Sequence, residues 1–339
     1  MNILLLAIER LLLCVRIFLS TFILPYLTGF FSYENTFGKV WSNHYIFITG
    51  CDTGFGNMLA KRLDNRGFSV IANCLTEEGA KKLRAESSSR LHTIVCDITN
   101  DKSLAKCVTE TERICGKKGL YGLVNNAGIE DDCSLELQAM TSIRRVMEIN
   151  YFAMANVTQR LMPLLRQAGG LPTGARVVNV ASVAGRIALS GMAGYCASKH
   201  AVEAYSDSLR REMCMFGIKV SIIEPGLMKT AIVTNSNANK HLMTKWSNLT
   251  DEVRAAWGED FIEFICNSRT KAGALSQDPM KAVYAMENAL LQAYPKTRYS
   301  VGFDAPIMIL SEYFPAFITD CLVSALMPRP SKAKYGTLF

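Results

Sequence analysis

From Tyr45 to about Ile223 the chain repeats one pattern, a short apolar run followed by a stretch of helical length. The runs are Tyr45 to Ile48, Phe68 to Asn73, Leu91 to Cys96, Gly122 to Asn125, Arg176 to Val180 and Lys219 to Ile223. They are rich in β-branched residues and mostly apolar at consecutive positions, which marks strands covered on both faces rather than one. Between them, Asn57 to Arg66, Lys102 to Cys115, Ile143 to Gln167 and Tyr195 to Phe216 have helical length and period. Strands of this kind alternating with helices predict the α/β class: a doubly wound parallel sheet in a single domain. Ligands of such sheets sit at the carboxyl ends of the strands, so chemistry is sought there.

Bulk properties narrow the function by exclusion. The net charge of +7 is spread without any Lys/Arg run longer than a pair, so no nucleic-acid partner is expected. The eleven cysteines form no C-x-x-C, and the four histidines (His44, His92, His200, His241) are scattered, so no metal site is expected. The cysteines read as small buried hydrophobes in a reducing compartment.

The two ends of the chain differ from its middle. Residues 1–35 read as a retained membrane anchor: Ile17 to Phe31 carries no charge, and Leu11 to Phe31 is broken only by Arg16. The domain is placed at 42–300, with a substrate lid at about 227–275 whose polar stretch Thr234 to Lys245 suits a cover over a pocket. Leu249 to Phe264 and Pro279 to Gln292 read as helices. The remainder, 301–339, is an apolar extension with a basic tail. Its Glu312 and Asp320 argue against a spanning helix and for a membrane-surface or pocket-lining segment.

Four motifs carry chemistry. The first strand runs into Thr49-Gly50-Cys51-Asp52-Thr53-Gly54-Phe55-Gly56 and then a helix, a turn that lets backbone approach a pyrophosphate at a helix N-terminus. Asn125-Asn126-Ala127-Gly128 closes the fourth strand, where amide side chains can tie neighbouring strands together. Asp97 closes the third, as an acceptor for an adenine amino group or as a helix N-cap. Ser182 ends the fifth strand, Asn150 sits mid-helix, and Tyr195 and Lys199 lie one helical turn apart on one face. A phenol titrates near pH ~10, too high for proton transfer at neutral pH, and a neighbouring ammonium lowers it.

In this order and spacing, over roughly Tyr45 to Thr230, these motifs resemble the short-chain dehydrogenase/reductase superfamily, whose fold is Rossmann-like. The resemblance implies an enzyme with Tyr195 as general acid/base and Lys199 lowering its pKa while holding the nicotinamide ribose. It implies that Ser182 binds the reacting substrate oxygen and that Asn150 supports a water relay to Lys199. The cofactor contacts it implies are Gly50, Asp52, Thr53, Gly54, Phe55, Gly56, Cys74, Asp97, Asn125, Ala127, Gly128, Tyr195, Lys199, Pro225, Gly226 and Thr230.

Within the superfamily, Cys74-Leu75-Thr76-Glu77, Asp207 to Glu212 and Tyr294-Pro295-Lys296-Thr297 look like the retinol and hydroxysteroid dehydrogenase branch. That branch implies a membrane-associated oxidoreductase of the endoplasmic reticulum, with either membrane face open, acting on a lipophilic alcohol, and a homodimer as one assembly. A 3-hydroxybutyrate-type dehydrogenase of small hydroxy acids is the alternative, and a non-catalytic dinucleotide-sensing scaffold a remoter one. The second strand ends Ala72-Asn73-Cys74, with neither a carboxylate for a ribose diol nor an Arg for a 2′-phosphate, and Asp52 would repel that phosphate. NAD is therefore favoured over NADP.

Overall fold

A computed structural model describes residues 43–131, 134–170, 174–230 and 238–326. The segment read as an anchor (1–35), residues 231–237 of the lid and the basic tail lie outside the described residues. Seven strands form one sheet: β1 (Tyr45–Ile48), β2 (Ser69–Cys74), β3 (Leu91–Val95), β4 (Gly122–Asn125), β5 (Ala175–Val180), β6 (Ile218–Pro225) and β7 (Arg298–Val301). Their order is β3-β2-β1-β4-β5-β6-β7, with every neighbouring pair parallel. The doubly wound parallel sheet is as the apolar runs predicted.

Alternate residues of each strand go to opposite layers, which is why the runs are apolar at most consecutive positions. Ile46, Ile48, Val124 and Val178 pack with Leu59 and Leu63 of α1 (Gly54–Asn65) and with Met286 and Leu290 of α10 (Met280–Leu291). Phe47, Leu123 and Val177 pack on the other face with Leu104 of α3 (Asp101–Cys115) and with Val157, Leu161 and Leu165 of α5 (Met154–Gly169). Strand order reverses between β1 and β4, so a crevice opens where Thr49 and Asn126 leave the sheet.

Three details depart from the sequence reading. Ile143 to Gln167 is not one regular helix: α4 (Met140–Met147) passes through a π-helical turn, Glu148–Ala153, before α5 begins. Leu249 to Phe264 is split by Gly258, whose φ of +81° ends α8 (Asp251–Trp257) and starts α9 (Glu259–Leu275). The edge strand β7 was not foreseen, and it runs through the boundary placed at residue 300.

The segment read as a lid forms α7 (Ala238–Ser247), α8 and α9, gathered on a small core of Leu242, Trp246, Phe261 and Ile262 with Leu137. The extension forms α11 (Asp304–Ser311) and α12 (Ala316–Leu326). Ala305 is buried against the domain, whereas Phe303, Ile307 and Tyr313 are each more than two-thirds exposed. Among the described residues no helix is long and apolar enough to cross a membrane. The nine cysteines among them are free thiols, six of them buried.

Candidate active site

The crevice is locked by one side chain at its base. Thr49 leaves β1, and its Oγ1 accepts from the amides of Asn126 and Ala127, both at 2.9 Å. Asn126 Nδ2 returns bonds to the carbonyls of Thr49 (2.9 Å) and Gly50 (3.1 Å). Gly50 has φ +71°, and a Cβ there would stand 2.9 Å from the Cα of Ala127. A Cβ on Gly56 would collide with the Gly50 carbonyl, so that glycine sets how closely α1 approaches the turn. Helix α1 has Thr53 as N-cap without a side-chain capping bond, which leaves its first N–H groups to an anion.

Asp52 is turned away from those amides. Its carboxylate accepts from the amides of Leu75 (2.7 Å) and Thr76 (3.0 Å) and from Thr76 Oγ1 (2.7 Å), just beyond the end of β2. The carboxylate absent from the second strand's own sequence is thus supplied by the glycine loop. Cys74 is fully buried behind this point, and burial, reinforced by Asp52, pushes its thiol up to about 12. It packs in the core and is not on the cavity wall. Asp97 Oδ1 accepts from the amide (2.9 Å) and hydroxyl (2.7 Å) of Thr99. The N-cap of α3 is Asn100, which accepts from Ser103 N at 3.0 Å, so the capping reading of Asp97 is excluded.

A cavity of about 740 Å³ runs along the carboxyl ends of the strands. Gly50, Asp52, Thr53, Gly54, Phe55, Asp97, Ala127 and Gly128 line one part of it. Ser182, Tyr195, Lys199, Pro225, Gly226 and Thr230 line another, together with Ile149, Leu189, Met192, Leu227, Met228 and Met308. Ser182 caps the turn Val183–Gly185, its Oγ accepting from Ala184 N at 3.2 Å. Tyr195 and Lys199 project from the first turns of α6 (Ala193–Met213), with Lys199 Nζ 5.7 Å from the phenol ring centroid. Lys199 is 5% exposed and donates to Val180 O at 2.9 Å. Burial lowers its pKa to about 8, against which Glu203 acts.

Gly56, Cys74, Asn125 and Asn150 stand behind the wall rather than on it. Asn125 Nδ2 donates to Asn179 Oδ1 and Thr158 Oγ1, both at 2.8 Å, and Asn179 Nδ2 to Ser206 Oγ at 2.8 Å. This chain joins β4 and β5 to α5 and α6. Asn150, in the π-helical turn, bonds the backbone of Ile129 in both directions at 2.8 Å and donates to Ser198 Oγ at 3.0 Å. A Cβ on Gly128 would lie 3.2 Å from Asn150 Oδ1 and 3.6 Å from Lys199 Nζ, so both groups face the space that the missing side chain leaves.

Several site residues went unread in the sequence. Asp304, at the start of α11, accepts from Leu227 N (2.7 Å) and from Gln277 Nε2 (2.8 Å), and its carboxylate leaves no room for a side chain on Gly226. It fixes the course of the Pro225–Thr230 loop. Its only advance signal was an acid opening an apolar helix. Glu130 pairs with Arg269 of α9 at 3.5 Å and Asp131 with Lys245 of α7, clasping the lid to the loop that follows Gly128.

The residues present fit a nicotinamide dinucleotide. An uncapped helix N-terminus and glycine-lined backbone suit a pyrophosphate, and a carboxylate beside β2 suits a ribose diol.

The sequence profile of the short chain dehydrogenase family matches residues 44–241. Retinol dehydrogenase 16 of Homo sapiens is 42% identical over 292 residues, covering 85% of this chain and 90% of its own. 17-beta-hydroxysteroid dehydrogenase type 6 of Rattus norvegicus is 40% identical over 292 residues, with the same coverage of 85% and 90%. A short-chain dehydrogenase structure from Streptomyces avermitilis superposes with a TM-score of 0.64 at 25% identity, covering 84% of this chain and 94% of that one. The chain belongs to the short-chain dehydrogenase family and is an NAD(P)-dependent alcohol oxidoreductase.

Proposed function

We propose that this protein is a membrane-associated dehydrogenase that interconverts a lipophilic alcohol, a retinol or a hydroxysteroid, and its carbonyl form, with NAD as its preferred cofactor. The observation that carries the chemistry is the convergence of Ser182, Tyr195 and Lys199 on the cavity that the glycine loop also lines. When bound, the nicotinamide supplies the acceptor or donor of hydride. Tyr195 takes the proton from the substrate hydroxyl, or returns it to the carbonyl. The buried Lys199 ammonium favours the phenolate and holds the nicotinamide ribose. Ser182, extended at the end of β5, hydrogen-bonds the reacting oxygen. Asn150 acts from behind, by holding Ile129 and Ser198 and hence the Gly128 backbone beside Lys199.

NAD is supported by Asp52, whose charge and whose grip on the Leu75 and Thr76 amides oppose a phosphate on the adenosine ribose. The lipophilic substrate is supported by the apolar wall of Ile149, Leu189, Met192, Leu227, Met228 and Met308, and by relatives named for retinol and for a hydroxysteroid. The exposed apolar side chains of α11 and α12 support attachment at a membrane surface, and resemblance to a microsomal branch supports the endoplasmic reticulum as that membrane. A homodimer is the assembly proposed, to be read by light scattering.

Initial rates with NAD and NADP on all-trans-retinol, 9-cis-retinol, androstanediol and 3-hydroxybutyrate test the reading. The expected result is NAD-dependent oxidation of the lipophilic alcohols. A preference for 3-hydroxybutyrate overturns the substrate class, and a preference for NADP overturns the role given to Asp52.

A further inference from the structure

Behind the Tyr195/Lys199 pair lies a buried cluster of charge that the reaction as described does not use. Lys199, Glu203 and Asp207 follow one another at four-residue intervals along α6 and so form one stripe. Glu203 is 6% exposed, nearly as buried as Lys199. Its Oε2 meets Arg298 of β7 at 3.1 Å, and the same guanidinium reaches Asp207 (3.0 Å) and Glu224 of β6 (3.3 Å). Glu224 also pairs with Arg186, just past the Ser182 turn, at 3.1 Å, and Arg186 reaches Glu312 at 3.2 Å and the Tyr313 hydroxyl at 3.4 Å. Arg210 closes the far end on Asp207 at 3.3 Å.

The middle of the stripe is covered by backbone. A side chain on Gly185 would stand 2.8 Å from the Lys199 carbonyl and 3.1 Å from Glu203 Cγ, so the Val183–Gly185 turn packs directly on α6 at this point. Glu203 Oε1 is buried and has no hydrogen-bond partner among the described residues, so its charge is not wholly consumed by Arg298.

We propose that Glu203, anchored by Arg298, is a positioning residue for the reaction, its buried carboxylate keeping Lys199 an ammonium at the cavity wall. This rests on the reading of Tyr195 and Lys199 given above. A lysine buried without a countercharge loses its proton readily, and as an amine it would no longer draw the proton from Tyr195. Lys199 already stands at about 8, with burial lowering it and Glu203 opposing. Glu203 itself is raised to about 7, by burial first and Glu224 second, against Arg298 and Arg186. The Glu203 carboxylate thus acts on Lys199 from the next turn of the same helix, while Arg298 and Arg186 favour its charged form.

The test is the pH dependence of kcat/KM for the cofactor, which reports groups of the free enzyme. In the unaltered protein oxidation should decline as Lys199 loses its proton near pH 8. E203Q should move that decline to lower pH by about one unit, and E203D, which keeps the charge, by less. An unmoved decline in E203Q, or a loss of rate in both variants that merely tracks their melting temperatures, overturns the proposal. If E203Q does not fold, E203A, which also removes the charge, takes its place, and an unmoved decline there overturns the proposal equally. Y195F separates the two failures: retained turnover in that variant removes the acid/base pair, whereas its loss with an unmoved E203Q profile removes only Glu203.

Discussion

The glycine-loop region and the segment read as a lid are built by different means. Around the glycine loop, position comes from backbone and sheet: Thr49 clamps two loops, Asp52 holds a third, and the strands beneath are buried on both faces. In the segment read as a lid, position comes instead from short helices, a core of five buried residues, and the ion pairs Glu130–Arg269 and Asp131–Lys245. Parallel strands fix atoms to within their hydrogen-bond register, whereas a few side chains on short helices allow local opening at small cost. The first region is the more rigid, with Ser182, Tyr195 and Lys199 facing it across the same cavity; the second is the more easily opened.

This contrast can be broken or sharpened by substitution. The largest effect is expected for Tyr195→Phe, which removes the proton carrier without altering the glycine loop. Turnover should fall by about 10³-fold while the dissociation constant for NAD, measured by fluorescence titration, stays within a few-fold. Comparable losses of both would mean that the phenol also builds the cofactor region.

Next in size is a pair of truncations, one in each core. Leu161→Ala, beneath the sheet, should cost about 2–5 kcal/mol and lower the melting temperature accordingly. Phe261→Ala, in the lid core, should scarcely move the global transition, yet raise KM for the lipophilic alcohol and speed amide exchange in α9. Equal shifts in melting temperature would make the two regions one cooperative unit. The smallest effect is expected for Arg269→Gln, which opens a partly exposed pair worth less than about 1 kcal/mol. A few-fold rise in KM that disappears at high salt is the predicted outcome, with kcat unchanged.

The same contrast governed what the sequence could reveal. Strands β1 to β6 were legible because most of their positions are apolar at consecutive residues, and the motifs at their ends sit at fixed offsets from them. Edge strand β7 was not legible: Arg-Tyr-Ser-Val alternates in polarity, and its arginine is there for charges on β6 and α6, which no local pattern reports. Asp52 was read as a member of the glycine loop, but not as the carboxylate at the end of β2, because that contact spans more than twenty residues. Asp304 and Met308 reach the cavity from a tail whose apolar composition announced only that it would be covered by something. Asn150 was found by spacing, while the π-helical turn that carries it was hidden, since α4 and α5 each keep a sound helical period of their own.

That turn has a consequence for how such a chain can change. An α-helix rotates 100° per residue, and a π-helical turn accommodates one more residue than its hydrogen-bonding pattern otherwise would. Here it sets the azimuth of α5, whose Val157, Leu161 and Leu165 fill the sheet's underside, independently of α4. Deleting one residue between Glu148 and Ala153 would restore a continuous α-helix and leave a choice. Either Asn150 swings away from Ile129, or the apolar stripe of α5 swings out of the core. The extra residue works as a phase adjuster, allowing substitutions on the pocket side of α4 without re-indexing the packing of α5.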